Sequence, residues 1–339
     1  FRENNFWSYR NAINYMGTYN FNLDHSVVFG IEKEWDEMDN EEFSGFAKAI
    51  DFKSGQEVVS QYIDFQSRLT NNLYATAGIR FDDHSQAGNE DSERFSLAYL
   101  FDDKKTKLKA SYGTGIKYPS LYEFWKNVNT SSLVAEHGRS YDFGIEKTFT
   151  EKGLSFDITY FNHKYENMIE GQKRTNWKLQ NVSGKVRSQG IELASKFKPS
   201  DILNFNLNYT YNSTYDGADF DDPDMGPNSN GTFTNSQLAR IPRHLINLSS
   251  QVLLAKDLDL TLQSKWSKNM RDYGNVNTGS DEDKRLSSFL VNDLFVNYQI
   301  NDGYKAFFKI DNIFDKVYST ALQFNQMDRS FNFGIKRNY

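Results

Sequence analysis

Residues 203 to 211 read Leu-Asn-Phe-Asn-Leu-Asn-Tyr-Thr-Tyr. In an extended strand this alternation sends Leu203, Phe205, Leu207, Tyr209 and Tyr211 to one face and Asn204, Asn206, Asn208 and Thr210 to the other. Few soluble sheets need a face so purely amide opposite an unbroken apolar and aromatic one. A strand with lipid outside and a wet lumen inside does. The same contrast returns at Leu73, Ala75, Ala77, Ile79 and Phe81 against Tyr74, Thr76, Gly78, Arg80 and Asp82. It returns again at Leu258, Leu260, Leu262 and Trp266 against Asp259, Thr261, Gln263 and Lys265, and at Tyr304, Ala306, Phe308 and Ile310 against Lys305, Lys309 and Asp311. The charged sets are expected to face the lumen.

Composition supports strands. Aromatics make up 16% of the chain, whereas Pro occurs only 5 times in 339 residues, a balance suited to pleated sheets rather than helices or linkers. A mean hydropathy of −0.71 does not oppose a membrane wall, because averaging over alternating residues cancels the apolar face. No run approaches the roughly 18 apolar residues of a membrane helix. With no cysteine, neither a disulfide framework nor a thiolate metal site is available. The net charge of −6 supplies no basic patch, so nucleic acid is not expected as a partner.

Two kinds of connection alternate along the chain. Short polar turns fall at 22–25, 70–72, 102–105, 150–153, 198–201, 255–257 and 301–303; longer Gly-rich or acidic ones fall at 38–57, 85–92, 117–138, 169–180, 216–240, 273–285 and 315–328. Outer-membrane barrels carry short turns on the periplasmic side and long loops outside. The fold expected is therefore all-β, an antiparallel up-and-down transmembrane β-barrel. Strands are predicted at 9–21, 25–37, 58–69, 73–84, 93–101, 106–116, 139–149, 154–168, 181–197, 202–215, 241–254, 258–272, 286–300, 304–314 and 329–339. Fifteen is an odd number, so the first and last strands run the same way. With no signal peptide before Phe1, 1–339 is expected to be part of a larger barrel. The alternative places a further strand in 1–8 or 169–180 and gives a complete sixteen-stranded barrel of porin size.

Four segments carry a resemblance to a known family. Ser111-Tyr112-Gly113-Thr114-Gly115-Ile116-Lys117-Tyr118-Pro119-Ser120-Leu121-Tyr122-Glu123, Gln180-Asn181-Val182 through Gly190-Ile191-Glu192-Leu193, Asp311-Asn312-Ile313-Phe314-Asp315-Lys316-Val317-Tyr318, and Asp328-Arg329 leading into a strand that ends on Tyr339 resemble the C-terminal barrel region of TonB-dependent outer-membrane receptors. Ala135 in Leu133-Val134-Ala135-Glu136 stands where that pattern usually has Pro. The resemblance implies about 15 of an expected 22 strands, with the plug domain and the first strands outside this sequence. It implies active import of a scarce chelate, an iron siderophore, haem or cobalamin, by a receptor of the bacterial outer membrane. Its partners would be outer-membrane lipid and lipopolysaccharide, the small chelate ligand, and the TonB complex through the plug region. Lumen-facing Arg80, Lys107, Lys109 and Lys265 would contact the plug or line the path.

Candidate binding residues lie at the expected external mouth. Tyr118, Tyr122, Trp125 and Trp177 offer aromatic surface for a flat ligand, and equally serve as an interfacial girdle or strand-end packing. In the stretch 216–224, Asp219, Asp221, Asp222 and Asp224 offer hard oxygen for calcium, or form a solvated acidic loop. The five histidines are isolated in sequence, and Gly113-x-Gly115 precedes Pro119 with no phosphate-cradling helix. No bond chemistry is assigned. A passive porin is the first rival reading and an outer-membrane hydrolase the second.

Overall fold

The computed structural model describes residues 2–44, 47–126, 133–170, 179–181, 184–218, 237–272 and 284–337. Fifteen strands form one sheet: β1 Arg2–Asn20, β2 His25–Ser44, β3 Ala47–Arg68, β4 Leu73–His84, β5 Gly88–Leu100, β6 Thr106–Lys117, β7 Glu136–Phe149, β8 Leu154–Glu166, β9 Gly184–Ser200, β10 Leu203–Ala218, β11 His244–Ala255, β12 Leu258–Lys268, β13 Phe289–Asn301, β14 Tyr304–Asp311 and β15 Ser330–Arg337. Each pairs antiparallel with its sequence neighbours in an up-and-down meander. β1 and β15 are the edges, and fourteen antiparallel steps leave them pointing the same way. Among the described residues, 169–170 pairs only with 180–181 in a small separate ribbon, and residues 2–8 extend β1. Among the described residues the sheet therefore has no sixteenth strand at either expected alternative position.

Register turns the period-two sequence into two continuous surfaces. Leu73, Tyr99, Leu108, Ile145, Ile158, Leu193, Tyr209, Ile246, Trp266 and Leu290 pair in succession from β4 to β13, an unbroken apolar row across ten strands. On the other face Lys107, Glu146, Asp157, Ala194, Asn208, Asn247 and Lys265 pair in the same way from β6 to β12. A slip of one residue in any strand would exchange the two rows there, so the contrast fixes the register.

Burial runs opposite to that of a water-soluble protein. Ile63 is 51% exposed while its neighbour Asp64 is 5% exposed. Phe81, Phe95, Phe143, Tyr160 and Ile191 are likewise exposed on the apolar face, while Asp36, Ser60 and Asp82 are buried on the polar one. Monomeric soluble proteins do not display apolar surface on this scale. A wall with hydrocarbon outside and packed polar groups inside does.

The connections depart from expectation in two places. The expected loop 38–57 is largely strand, since β2 continues to Ser44 and β3 begins at Ala47. The expected loop 85–92 shrinks to a turn at 85–87 before β5. In both stretches the chain stays paired although neither keeps the apolar and polar faces apart, because inter-strand hydrogen bonds need no apolar side chain. At 19, 20 and 22 residues, β1 to β3 far exceed the roughly 9 to 11 residues that cross a bilayer.

Candidate ligand mouth

The polar face is an ordered array of ion pairs. Arg10 on β1 donates to Asp36 on β2 from Nε at 2.7 Å and from a terminal nitrogen at 3.0 Å, and Gln56 on β3 donates to the same carboxylate at 3.1 Å. Arg80 on β4 donates to Asp82 Oδ1 at 2.9 Å and to Ser60 Oγ at 2.7 Å, and lies 3.4 Å from Glu32 on β2. Lys107 pairs with Glu146, and Lys109 with Asp157. Thus Arg80, Lys107 and Lys109, expected to meet a plug or line a path, are engaged within the wall itself. Lys265 shares their face.

Above this array the connection after β6 folds back over β2 and β3. Pro119 is buried, and Ser120 starts helix α1, Leu121–Lys126. A reciprocal cap holds its start: Ser120 N–H and Oγ donate to Glu123 Oε2 at 2.7 and 2.9 Å, and Glu123 N–H donates to Ser120 Oγ at 3.3 Å. The helix lies against β2 and β3. Trp125 packs on Phe52 with centroids 5.2 Å apart and on Tyr122 at 5.6 Å, and Tyr122 meets Phe6 of β1 at 6.4 Å. Phe6, Asn40 and Phe52 are register partners on the polar face, so the helix rests on an aromatic seat across the first three strands.

Tyr118 stacks on His84, with centroids 4.4 Å apart and planes 31° from parallel, and Phe124 lies 6.0 Å from the same imidazole. His84 is 2% exposed. Its Nδ1 accepts from the Gln86 and Ala87 amides at 3.1 and 3.0 Å, which places the proton of the neutral ring on Nε2. Both Nε2 and the Tyr118 hydroxyl are buried without a hydrogen-bond partner. Burial, followed by the charges of Asp82 and Glu90, pushes the Tyr118 phenol above its ordinary range. Beneath Tyr118 opens a cavity of about 360 Å³ whose lining includes Glu32, Glu34, Ser60, Arg80 and Asp82.

Three of the aromatic residues expected at the mouth therefore gather there, with Tyr118 over the cavity and Tyr122 and Trp125 on the adjoining helix. Trp177 and the acidic Asp219, Asp221, Asp222 and Asp224 lie outside the described residues. Among the described residues no cluster of His, Asp and Glu is arranged to hold a metal ion. His84 and Asn40 were not singled out by sequence. Asn40 is 1% exposed with both side-chain polar atoms unpartnered. The only signal in sequence for α1 was Ser120-x-x-Glu123 after Pro119.

Comparison with known proteins decides the family. Residues 1–313 match the family model described as TonB dependent receptor-like, beta-barrel. The chain belongs to this family. Over 264 residues it is 27% identical to the vitamin B12 transporter BtuB of Vibrio cholerae, covering 76% of this chain and 39% of the transporter. Over 295 residues it is 24% identical to the ferrienterobactin receptor of Escherichia coli, covering 78% and 37% respectively. Among solved structures, Pseudomonas aeruginosa FpvA bound to a heterologous pyoverdine superposes with a TM-score of 0.79 at 16% identity, over 98% of this chain and 48% of that one. The siderophore receptor PirA of Pseudomonas aeruginosa gives 0.68 at 18% identity, over 98% and 55%. This TonB-dependent receptor barrel thus spans about two fifths of the curated relatives' length and about half of the solved ones.

The third motif now has a physical reading. Asn312, at φ 51°, donates to the carbonyls of Lys316 and Met327 at 3.0 and 3.4 Å and accepts from Lys316 N–H at 2.8 Å. One buried amide therefore ties both ends of the connection between β14 and β15.

Proposed function

We propose that this barrel forms part of the wall of an outer-membrane receptor that imports a scarce chelate, an iron siderophore, haem or cobalamin, with energy delivered through TonB. The observation that carries the reading is the inverted burial of the sheet, apolar outside and ion-paired inside, in a chain of this receptor family. The named activities of the Vibrio cholerae and Escherichia coli relatives support it. In this reading the apolar face meets lipid and lipopolysaccharide, and the polar face meets the plug region through which TonB acts. Tyr118, Tyr122 and Trp125, joined by Trp177, supply stacking surface for the ligand, and calcium held by Asp219, Asp221, Asp222 and Asp224 orders the neighbouring loop.

The test is uptake of radiolabelled cyanocobalamin and ferric enterobactin by cells carrying the full-length receptor, with and without a functional TonB complex. Concentrative uptake of either, abolished without TonB and weakened by Trp125→Ala or Trp177→Ala, is the expected result. Equal permeation with and without TonB would replace the reading with a passive porin. Turnover of ester or peptide substrates by the purified barrel would replace it with a hydrolase.

A further inference from the structure

We infer that three cations on β7, β8 and β9 form a site on the outer wall for the phosphates of a bisphosphorylated glycolipid, the headgroup chemistry of lipopolysaccharide. The inference rests on the outer-membrane placement proposed above and not on which chelate is imported. Arg139, Lys164 and Arg187 are register partners in succession across these strands. Phe143, Tyr160 and Ile191 form a parallel row four residues away. Even spacing puts both rows on one face, so the cations project from the apolar side of the sheet, away from the ion-paired lumen.

Their height fits a headgroup. Phe149, Leu154 and Phe197 pair in one row beside the short turns, and the cations lie ten residues further along each strand. Ten residues at about 3.4 Å each, inclined by roughly 40° as barrel strands are, rise about 26 Å. The apolar band of an outer-membrane barrel is about 25 Å tall. The row therefore stands where the external headgroups begin. One step below it Asn162 donates to Gln189 at 3.0 Å, a polar margin between the apolar rows and the cations.

The charge balance supplies an independent observation. Like charges directly opposite one another on a sheet repel, yet here three stand abreast. Glu166, two residues beyond Lys164 on the same face, is held by Lys185 at 2.9 Å. None of the three cations makes a side-chain hydrogen bond or ion pair with another described residue. On the lumen face, by contrast, Arg80, Arg94, Lys107 and Lys109 are each matched by a carboxylate. In a chain of net charge −6, an uncompensated basic row is matched by an anion from outside. Strands about 4.8 Å apart spread the row over about 10 Å. A phosphomonoester carries about −1.5 to −2 charge, so two of them balance three cations, whereas a phosphodiester lipid brings a single charge. Arg139 and Arg187 are exposed, and a guanidinium takes phosphate oxygens in pairs.

Binding to the purified, delipidated full-length receptor is measured by native mass spectrometry with four probes: bisphosphorylated lipid A, the same lipid with both phosphates removed, phosphatidylglycerol, and inorganic phosphate. Lipid A is expected to bind about tenfold or more tightly than its dephosphorylated twin and than phosphatidylglycerol. Arg139→Gln, Lys164→Gln and Arg187→Gln combined should collapse both ratios. Removing three charges near the short turns instead, by Lys104→Gln, Lys105→Gln and Lys256→Gln, should leave them unchanged. Arg187→Gln alone should lower the ratios about fivefold, which keeps the test open if the triple variant fails to fold; unchanged ratios there overturn the site. Equal binding of lipid A and its dephosphorylated twin overturns the site and leaves the importer reading standing. Equal losses in the two triple variants overturn its location. Phosphatidylglycerol binding as tightly as lipid A, or displacement of lipid A by inorganic phosphate, overturns the glycolipid as its occupant. Selective binding of lipid A by a receptor that takes up neither cobalamin nor ferric enterobactin supports the site and counts against the importer reading alone.

Discussion

Arg94 on β5 reaches over Gly78 on β4 to meet Asp64 on β3, with Nε 2.8 Å from Oδ2. The two partners sit two strands apart, and the strand between them offers no side chain at the crossing. A Cβ built on Gly78 would lie 2.5 Å from Asp64 Oδ2. The device repeats at Lys109 on β6, which reaches Asp157 on β8 across Gly144 on β7, where an added Cβ would lie 2.5 Å from the lysine Cε. Gly78→Val should therefore displace the Asp64 carboxylate and weaken the barrel by about 1–3 kcal/mol, the usual range for overpacking. Gly115→Ala, with nothing within 4 Å of the new carbon, should be close to neutral. Urea unfolding of the folded barrel in lipid vesicles checks both.

The two faces should respond unequally to the same charge. Ile158, 40% exposed in the apolar row, when changed to Arg should cost roughly 2–4 kcal/mol near mid-bilayer. Asn208→Arg on the polar face should cost much less. The fraction of folded barrel recovered in membranes reads the difference, and equal losses would contradict the assignment of faces.

The turn between β5 and β6 should respond to acid. Asp103 accepts from Lys147 Nζ at 2.6 Å, from the Lys105 and Thr106 amides at 2.8 and 2.9 Å, and from Thr106 Oγ1 at 2.8 Å. These donors, Lys147 first, hold its carboxyl well below the usual carboxylate range. The folded state thus binds this proton more weakly than the unfolded one. The contribution is fully present above the ordinary carboxylate range and declines as pH falls below it. Asp103→Asn should therefore lower thermal stability at pH 7, and the gap from the parent should narrow at pH 3.

Fourteen of the fifteen wall strands share most of their length with the reading from sequence, because wherever a strand divides lipid from water its residues must alternate, as at Leu203 to Tyr211. β3 is the exception, predicted from 58 and observed from Ala47. Beyond the lipid that constraint ends. Residues 39–42 and 88–92, with Asp39, Asn40, Glu41 and Glu42 in one and Asn89, Glu90 and Asp91 in the other, are polar on both faces and read as loop, yet the ladder continues through them. The candidate site was legible as a set of aromatic residues at one mouth, and not as a set of contacts. Tyr118 meets His84 and Trp125 meets Phe52 only because a helix folds back over strands far earlier in the chain, and local pattern carries no record of such a contact.

Helix α1 offers a separate check. Ser120→Ala removes one side of the reciprocal cap and should cost about 1 kcal/mol of local helix stability. Trp125 fluorescence should then show greater access to a water-soluble quencher while the barrel stays folded. Unchanged quenching would mean that the seat on Phe52 and Phe6, not the cap, holds the helix.

The cross-strand pairs at Gly78 and Gly144 also set the character of the interior. Each lumen cation that the wall neutralises is one that a neighbouring domain need not neutralise. A body occupying the lumen could therefore shift or withdraw without leaving those charges unpaired. Such a surface has the properties of a bearing: it is polar enough to stay wet, and its attractions are spent inward, so that it would guide a part moving against it and grip that part weakly.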